Sequence, residues 1–163
     1  MPTAALTKST KETPVVTKRL EAASGVRAQA RLTLPYGRRR NSRQRAFLDD
    51  GAEVWIMLPR GTVMRPGDLL EAENGLIIEV AAEPESLSLA ETSDPLLLAT
   101  GCYHLGNRHV PVQIESGRLF YQHDHVLDDM VIGLGLKVTH ANAPFQPEDG
   151  AYSGGGGYHH HHG

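Results

Sequence analysis

The chain holds nine histidines, and all of them lie at or after His104. Four form a terminal run, His159-His160-His161-His162, behind a glycine spacer that includes Gly154 to Gly157. His123 and His125 flank Asp124, and His109 stands alone after Gly106-Asn107-Arg108. Neutral imidazole is the commonest side-chain ligand for borderline first-row metals. The C-terminal part therefore reads as the part that handles a metal. The histidine-free first 103 residues read as a part with another job.

Each group suits a different kind of site. His123 ends a predicted strand and His125 enters the helix that follows, so the bend there can let both rings converge on one ion. Asp124 between them serves either as the helix cap or as an acceptor that fixes a histidine tautomer. The plainer reading of the triplet is a polar surface at a helix start. A lone imidazole such as His109 holds a transition metal weakly. In a two-fold dimer, however, a residue near the axis meets its own copy and becomes a pair. His104 reads as an ordinary helix residue, Cys102 as a small apolar-like residue on a buried face, and His140 stays open. The terminal run reads as a natural tail that collects Ni²⁺, Cu²⁺ or Zn²⁺ without fixed geometry. Its other reading is an engineered tag. Imidazole binds metal only when neutral, so affinity is expected to fall as pH drops through roughly 6.5.

Other chemistries lack their residues. No His-Glu-x-x-His, Cys-x-x-Cys or Gly-x-Ser-x-Gly is present, and neither phosphate-loop nor dinucleotide glycine motifs occur. A zinc hydrolase needs three fixed ligands, an open position and a base. The single cysteine excludes an intramolecular disulfide framework and a multi-cysteine zinc site. No apolar stretch approaches the roughly 20 residues of a membrane span. Met1 to Glu12 is polar with no apolar core, so no secretory signal is visible and a cytoplasmic location is expected.

The net charge of -3 hides an asymmetry. Residues 1–45 carry eleven Lys/Arg against two Glu. The basic end is concentrated in Arg38-Arg39-Arg40 and Arg43-Gln44-Arg45. These read as a solvated loop between two strands, or as a docking patch for an acidic protein surface. RNA is the weaker option, because no aromatic residues interleave with the arginines.

The elements that position the histidines follow from periodicity and turn chemistry. Residues 1–13 have no periodicity and are expected to be disordered. Residues 14–83 read as an all-β domain, a compact barrel or paired sheets. Val26 to Leu34 alternates, Glu53 to Leu58 and Gly75 to Val80 are strand-like, and Asp50-Gly51, Pro66-Gly67 and Asn74-Gly75 mark turns. Residues 84–143 read as β-α-β-β-α-β, the ferredoxin-like arrangement. Asp94-Pro95 starts its first helix, which stops near Gly106-Asn107. Asp124 caps its second helix, with Val126, Leu127, Met130, Val131 and Leu134 at helical spacing. Residues 144–163 read as a flexible Gly/His tail. The fold class is α+β.

The stretch Tyr103-His104-Leu105-Gly106-Asn107-Arg108-His109-Val110-Pro111-Val112-Gln113-Ile114, with His123-Asp124-His125-Val126-Leu127-Asp128-Asp129-Met130, resembles the urease accessory protein UreE family. Leu48-Asp49-Asp50-Gly51, Leu58-Pro59-Arg60-Gly61 and Gly67-Asp68 resemble its N-terminal domain, and Ala143 to Tyr152 resembles the start of its tail. The resemblance covers about residues 26–152. It implies a nickel metallochaperone, not an enzyme, built from an N-terminal β domain of peptide- or partner-binding type and a ferredoxin-like metal-binding domain. It further implies a homodimer in which His109 from each chain binds the delivered Ni²⁺. His123 and His125 then form a peripheral site, and His159 to His162 raise the number of ions bound. The implied partners are the urease accessory GTPase and the urease apoprotein complex, with neither nucleic acid nor membrane involved. The alternative reading is a general histidine-rich metal buffer without a client enzyme.

Overall fold

The computed structural model describes residues 12–20 and 25–151. The terminal run His159 to His162 lies outside the described residues, as do residues 1–11 of the N-terminal stretch. The described chain divides into two units. The first comprises the strands of residues up to Leu32 and from Asn41 to Val80; the second comprises Thr33–Arg40 and the chain from Ala81 onward.

Short alternating runs separated by turns become strands in the first unit. These are β1 (Val15–Leu20), β2 (Ala30–Leu34), β3 (Arg43–Phe47), β4 (Glu53–Met57), β5 (Leu69–Ala72) and β6 (Ile77–Ala82). They join as one six-stranded sheet in the order β2-β6-β5-β1-β4-β3, where the sequence predicts a barrel or paired sheets. β1 runs parallel to β4 and antiparallel to β5. The alternation in β4 sorts its residues cleanly: Val54 and Ile56 are fully buried, while Trp55 and Met57 are exposed. Gly51, Gly67 and Gly75 all take positive φ at the predicted turns, which is why glycine stands there. β2 is shorter than its pattern. The strand begins at Ala30 and Val26 is 44% exposed, because alternation continues beyond the residues that find a ladder partner.

The second unit carries the predicted β-α-β-β-α-β order. Its elements are β7 (Pro84–Glu91), α2 (Pro95–Asn107), β8 (Gln113–Glu115), β9 (Arg118–Gln122), α3 (His125–Leu134) and β10 (Lys137–Pro144). The sheet order is β10-β7-β9-β8, with every neighbouring pair antiparallel. Both helix starts follow the sequence. Asp94 accepts the Leu96 N–H at 3.0 Å with Pro95 in the first turn, and Asp124 accepts from Val126 and Leu127 at 2.8 and 3.2 Å. Leu105, Leu119, Tyr121, Val131 and Leu136 form the core between helices and sheet. Cys102 packs half-buried at its edge, and burial pushes its thiol pKa up.

The other sheet face is covered by parts of the chain that the sequence assigns elsewhere. Pro35-Tyr36-Gly37 is not a turn between strands but the start of a one-turn helix, α1 (Tyr36–Arg39). Tyr36 packs edge-on to Phe145, 5.7 Å between ring centres, and Phe145 is fully buried with Leu87 and Phe120. Ordered chain thus extends past the expected tail start at 144, because β10 pairs through Pro144 with Pro84 and Phe145 fills the sheet face.

Arg39 corrects the solvated-loop reading of the arginine run. It is fully buried, and its guanidinium donates to Leu34 O at 3.1 Å, to Gln146 Oε1 at 2.6 Å and to Phe145 O. Desolvation lowers its pKa from the ordinary arginine value, partly offset by the charge of Glu85. A buried guanidinium is tolerated where its donors find acceptors, and these bonds fasten residues 145–146 to α1.

Candidate metal centre

Strand register assembles the centre of the second unit. His140 on β10 lies opposite Ser88 on β7, and Ser88 lies opposite Tyr121 on β9. Opposed residues on neighbouring strands project to one face, so the three side chains form a row across the sheet. His123 follows Tyr121 by two residues and so falls on the same face; its N–H bonds to Ser86 O at 3.0 Å, continuing the pairing past the end of β9. α3 covers that face and lowers Asp128 onto the row, one turn after its cap, Asp124.

The two oxygens of Asp128 have separate tasks. Oδ1 accepts the Ser88 hydroxyl and the Tyr121 hydroxyl, each at 2.6 Å. Oδ2 faces His140 Nε2 at 2.9 Å and His123 Nδ1 at 3.2 Å. Ser88 Oγ also stands 3.2 Å from His123 Nδ1. The two imidazoles meet edge to face, 4.3 Å between centres. One ligand atom from each of His123, Asp128 and His140 lies within 4.8 Å of the others. The Asp128 side chain is only 10% exposed, whereas those of His123 and His140 are 39% and 60% exposed.

The electrostatics favour the ionised acid. Burial pushes the Asp128 pKa up, but hydrogen bonds from His140, Ser88 and Tyr121 and the nearby His123 outweigh it, so the net shift is downward. Burial and the bond to that carboxylate push the Tyr121 pKa well above its ordinary value, so the phenol stays protonated and donates. The arrangement is a fixed anion with one oxygen saturated and the other aimed at two imidazoles.

His109 occupies a different kind of place. The end of α2 forms a Schellman motif: the Val110 N–H bonds to Leu105 O at 3.1 Å and the His109 N–H to Gly106 O at 3.0 Å. The position between them takes a left-handed backbone, normally glycine's. Here it is His109, with φ of 59°, the only non-glycine at positive φ among the described residues. α3 ends with the same pair of bonds, Leu136 to Val131 and Gly135 to Ile132, and there the position is a glycine with φ of 111°. α2 ends at Asn107, as the sequence places its stop near Gly106-Asn107, while the left-handed position falls to His109. A strained backbone at an exposed imidazole is a pointer to function rather than to packing.

The remaining histidines are spread out. His125 is exposed at the first residue of α3 and does not belong to the His123 cluster; His123 is joined by His140 and Asp128. Asp124, expected either to cap or to orient a histidine, accepts the helix N–H groups. His104 is half-buried on α2 beside Tyr103. The sequence missed Asp128 as a site residue. Its signal was only that an acid at helical spacing among Val126, Leu127, Met130 and Val131 sits on the buried side.

Comparison with known proteins covers both units. Residues 16–83 match the family model of the UreE urease accessory protein, N-terminal domain, and residues 85–163 that of its C-terminal domain. A urease accessory protein UreE of Alkalilimnicola ehrlichii is 55% identical over 127 residues, 78% of each chain. One from Enterobacter sp. (strain 638) is 54% identical over 139 residues, 85% of this chain and 90% of that one. One from Vibrio parahaemolyticus is 58% identical over 116 residues, 71% of this chain and 73% of its own.

Proposed function

Since this chain belongs to the urease accessory protein UreE family, we propose that it is a nickel metallochaperone that delivers Ni²⁺ during assembly of the urease active site. The observation that carries the reading is the match of both family domains, end to end, around the motif from Tyr103 to Met130. The protein acts as a carrier and not as an enzyme. The second unit is read as ferredoxin-like, supported by its β-α-β-β-α-β order and its β10-β7-β9-β8 sheet.

His109 is assigned to the delivered ion. It is exposed and backbone-fixed, and one imidazole per chain becomes two in a homodimer. His123 and His125 are assigned to a peripheral site, and His159 to His162 to collecting further ions. Ni²⁺ accepts imidazole well, while Cu²⁺ binds more strongly and Zn²⁺ competes, so selectivity comes from geometry and supply. The partners are the urease accessory GTPase and, through it, the urease apoprotein complex, in the cytoplasm and without nucleic acid or membrane. Among the described residues no helix is long and apolar enough to cross a membrane.

Calorimetric Ni²⁺ titration of the intact protein and of His109→Ala tests the assignment. The expected result is one tight ion per two chains, lost in the variant. An unchanged tight site in His109→Ala overturns the role given to His109. Pull-down of the accessory GTPase separates the chaperone from a metal buffer without a client.

A further inference from the structure

We propose that His123, Asp128 and His140 form a metal site within a single chain, binding a divalent first-row ion such as Ni²⁺ through His123 Nδ1, Asp128 Oδ2 and His140 Nε2. For the identity of the ion this rests on the metal-carrying reading above; for the site itself it rests on geometry. In that geometry His123 stands with Asp128 and His140, across the sheet, which extends the peripheral assignment of His123 by two ligands.

Spacing is the first argument. Metal–ligand bonds to imidazole nitrogen and carboxylate oxygen are about 2.1 Å, so neighbouring ligands in an octahedral shell stand about 3.0 Å apart. Asp128 Oδ2 is 2.9 Å from His140 Nε2 and 3.2 Å from His123 Nδ1, and all three atoms fall within 4.8 Å. Small rotations of two half-exposed rings open room for an ion without moving the backbone.

The outer contacts are the second argument. A ligating carboxylate works best when its other oxygen is held by donors, because these fix its direction. Ser88 and Tyr121 do this for Oδ1 from the fully buried row of the sheet. The acid is thus rigid and desolvated while both imidazoles reach solvent, leaving an entry path and room for water ligands. Two neutral imidazoles and one carboxylate give the mixed nitrogen and oxygen donor set that suits borderline divalent ions.

The test uses the full chain carrying His109→Ala with His159, His160, His161 and His162 each changed to Ala, so that the dimer and tail sites are silent. Ni²⁺ alone is titrated, with calorimetry for stoichiometry and NMR for paramagnetic broadening of the imidazole resonances. One ion per chain is expected, with His123 and His140 broadened together. Adding His140→Ala should weaken binding at least about 100-fold, since even loss of an outer contact to a ligand costs roughly 10–100-fold. His140 is largely exposed, so this variant should fold, and its melting curve verifies that. Ser88→Ala gives a second handle and should weaken binding by roughly 10–100-fold. Adding His104→Ala instead should leave the affinity unchanged. No Ni²⁺ binding in the background chain overturns the proposal. So does binding that survives His140→Ala. If the background chain binds as expected while the unaltered protein fails to activate urease, the site stands and the delivery reading falls.

Discussion

Replacing His109 by glycine separates the backbone strain of that position from its imidazole. The residue fills the left-handed position of a Schellman motif with φ of 59°, where a Cβ crowds the backbone. That conformation costs a side-chain-bearing residue roughly 1–2 kcal/mol relative to glycine. Glycine gives back roughly 0.4–1 kcal/mol by enlarging the freedom of the unfolded chain. The difference predicts that metal-free His109→Gly is more stable than the unaltered protein by about 0.5–1 kcal/mol. His109→Ala keeps a Cβ, and therefore keeps the strain, so its stability should stay close to the starting value. Urea unfolding read by amide hydrogen exchange in α2 measures this locally, at one protein concentration and with chelator present. Both variants should lose the tightest nickel site, glycine by a gain in stability and alanine without one. A glycine variant less stable than the alanine variant refutes the strain argument, and a surviving tight site in either refutes the metal assignment.

Three further outcomes are expected. Tyr121→Phe removes a buried O–H bond to the Asp128 carboxylate and should lower the stability of the metal-free protein by roughly 1.5–3 kcal/mol in urea unfolding; no change means the bond is not formed in solution. Arg39→Met takes the guanidinium from the Leu34 and Phe145 carbonyls, of which Leu34 O keeps the Glu83 N–H. Loss of the donor to one buried acceptor, Phe145 O, predicts a loss of about 1–3 kcal/mol, with faster amide exchange in residues 143–148; exchange that stays slow counts against the clamp. Changing His159 to His162 together to alanine should lower the number of Ni²⁺ ions bound in equilibrium dialysis and leave the tightest site intact, and an unchanged count removes the tail from metal collection.

The sequence revealed features that depend on local chemistry. Asp94-Pro95 and Asp124 cap helices because a side-chain oxygen reaches a free N–H two residues on, a contact set by adjacency. The strand and helix order of the second unit follows from periods of two and of about four residues in its apolar positions. What stayed hidden depends on distant chain. Arg38-Arg39-Arg40 reads as uniform charge, yet Arg39 alone turns inward, because Leu34, Phe145 and Gln146 offer it acceptors. Phe145 reads as part of a tail, but an aromatic ring finds a sheet face whose apolar residues lie some 25 to 60 positions earlier. Val26 alternates like a strand residue and is not one, since alternation states a preference and only a paired neighbour satisfies it.

The metal cluster illustrates the same limit at the site. His-Asp-His catches the eye as a triplet, but Asp124 is committed to capping the helix and His125 enters its first turn. Register brings His123 further companions: His140 arrives from β10 beside Ser88, and Asp128 arrives from one turn into α3. The two kinds of histidine site then differ in what they require. A site built from His109 of two chains exists only while the chains are associated, so its apparent affinity falls when the dimer dissociates. A site built from His123, Asp128 and His140 carries all three ligands on one sheet and its covering helix, and keeps its affinity at any dilution that leaves the second unit folded. An ion held between chains can be released by parting or tilting them, while one held across a sheet needs a ligand exchange. That contrast suits the pair to different steps, with the intrachain site retaining an ion and the symmetric one passing it on.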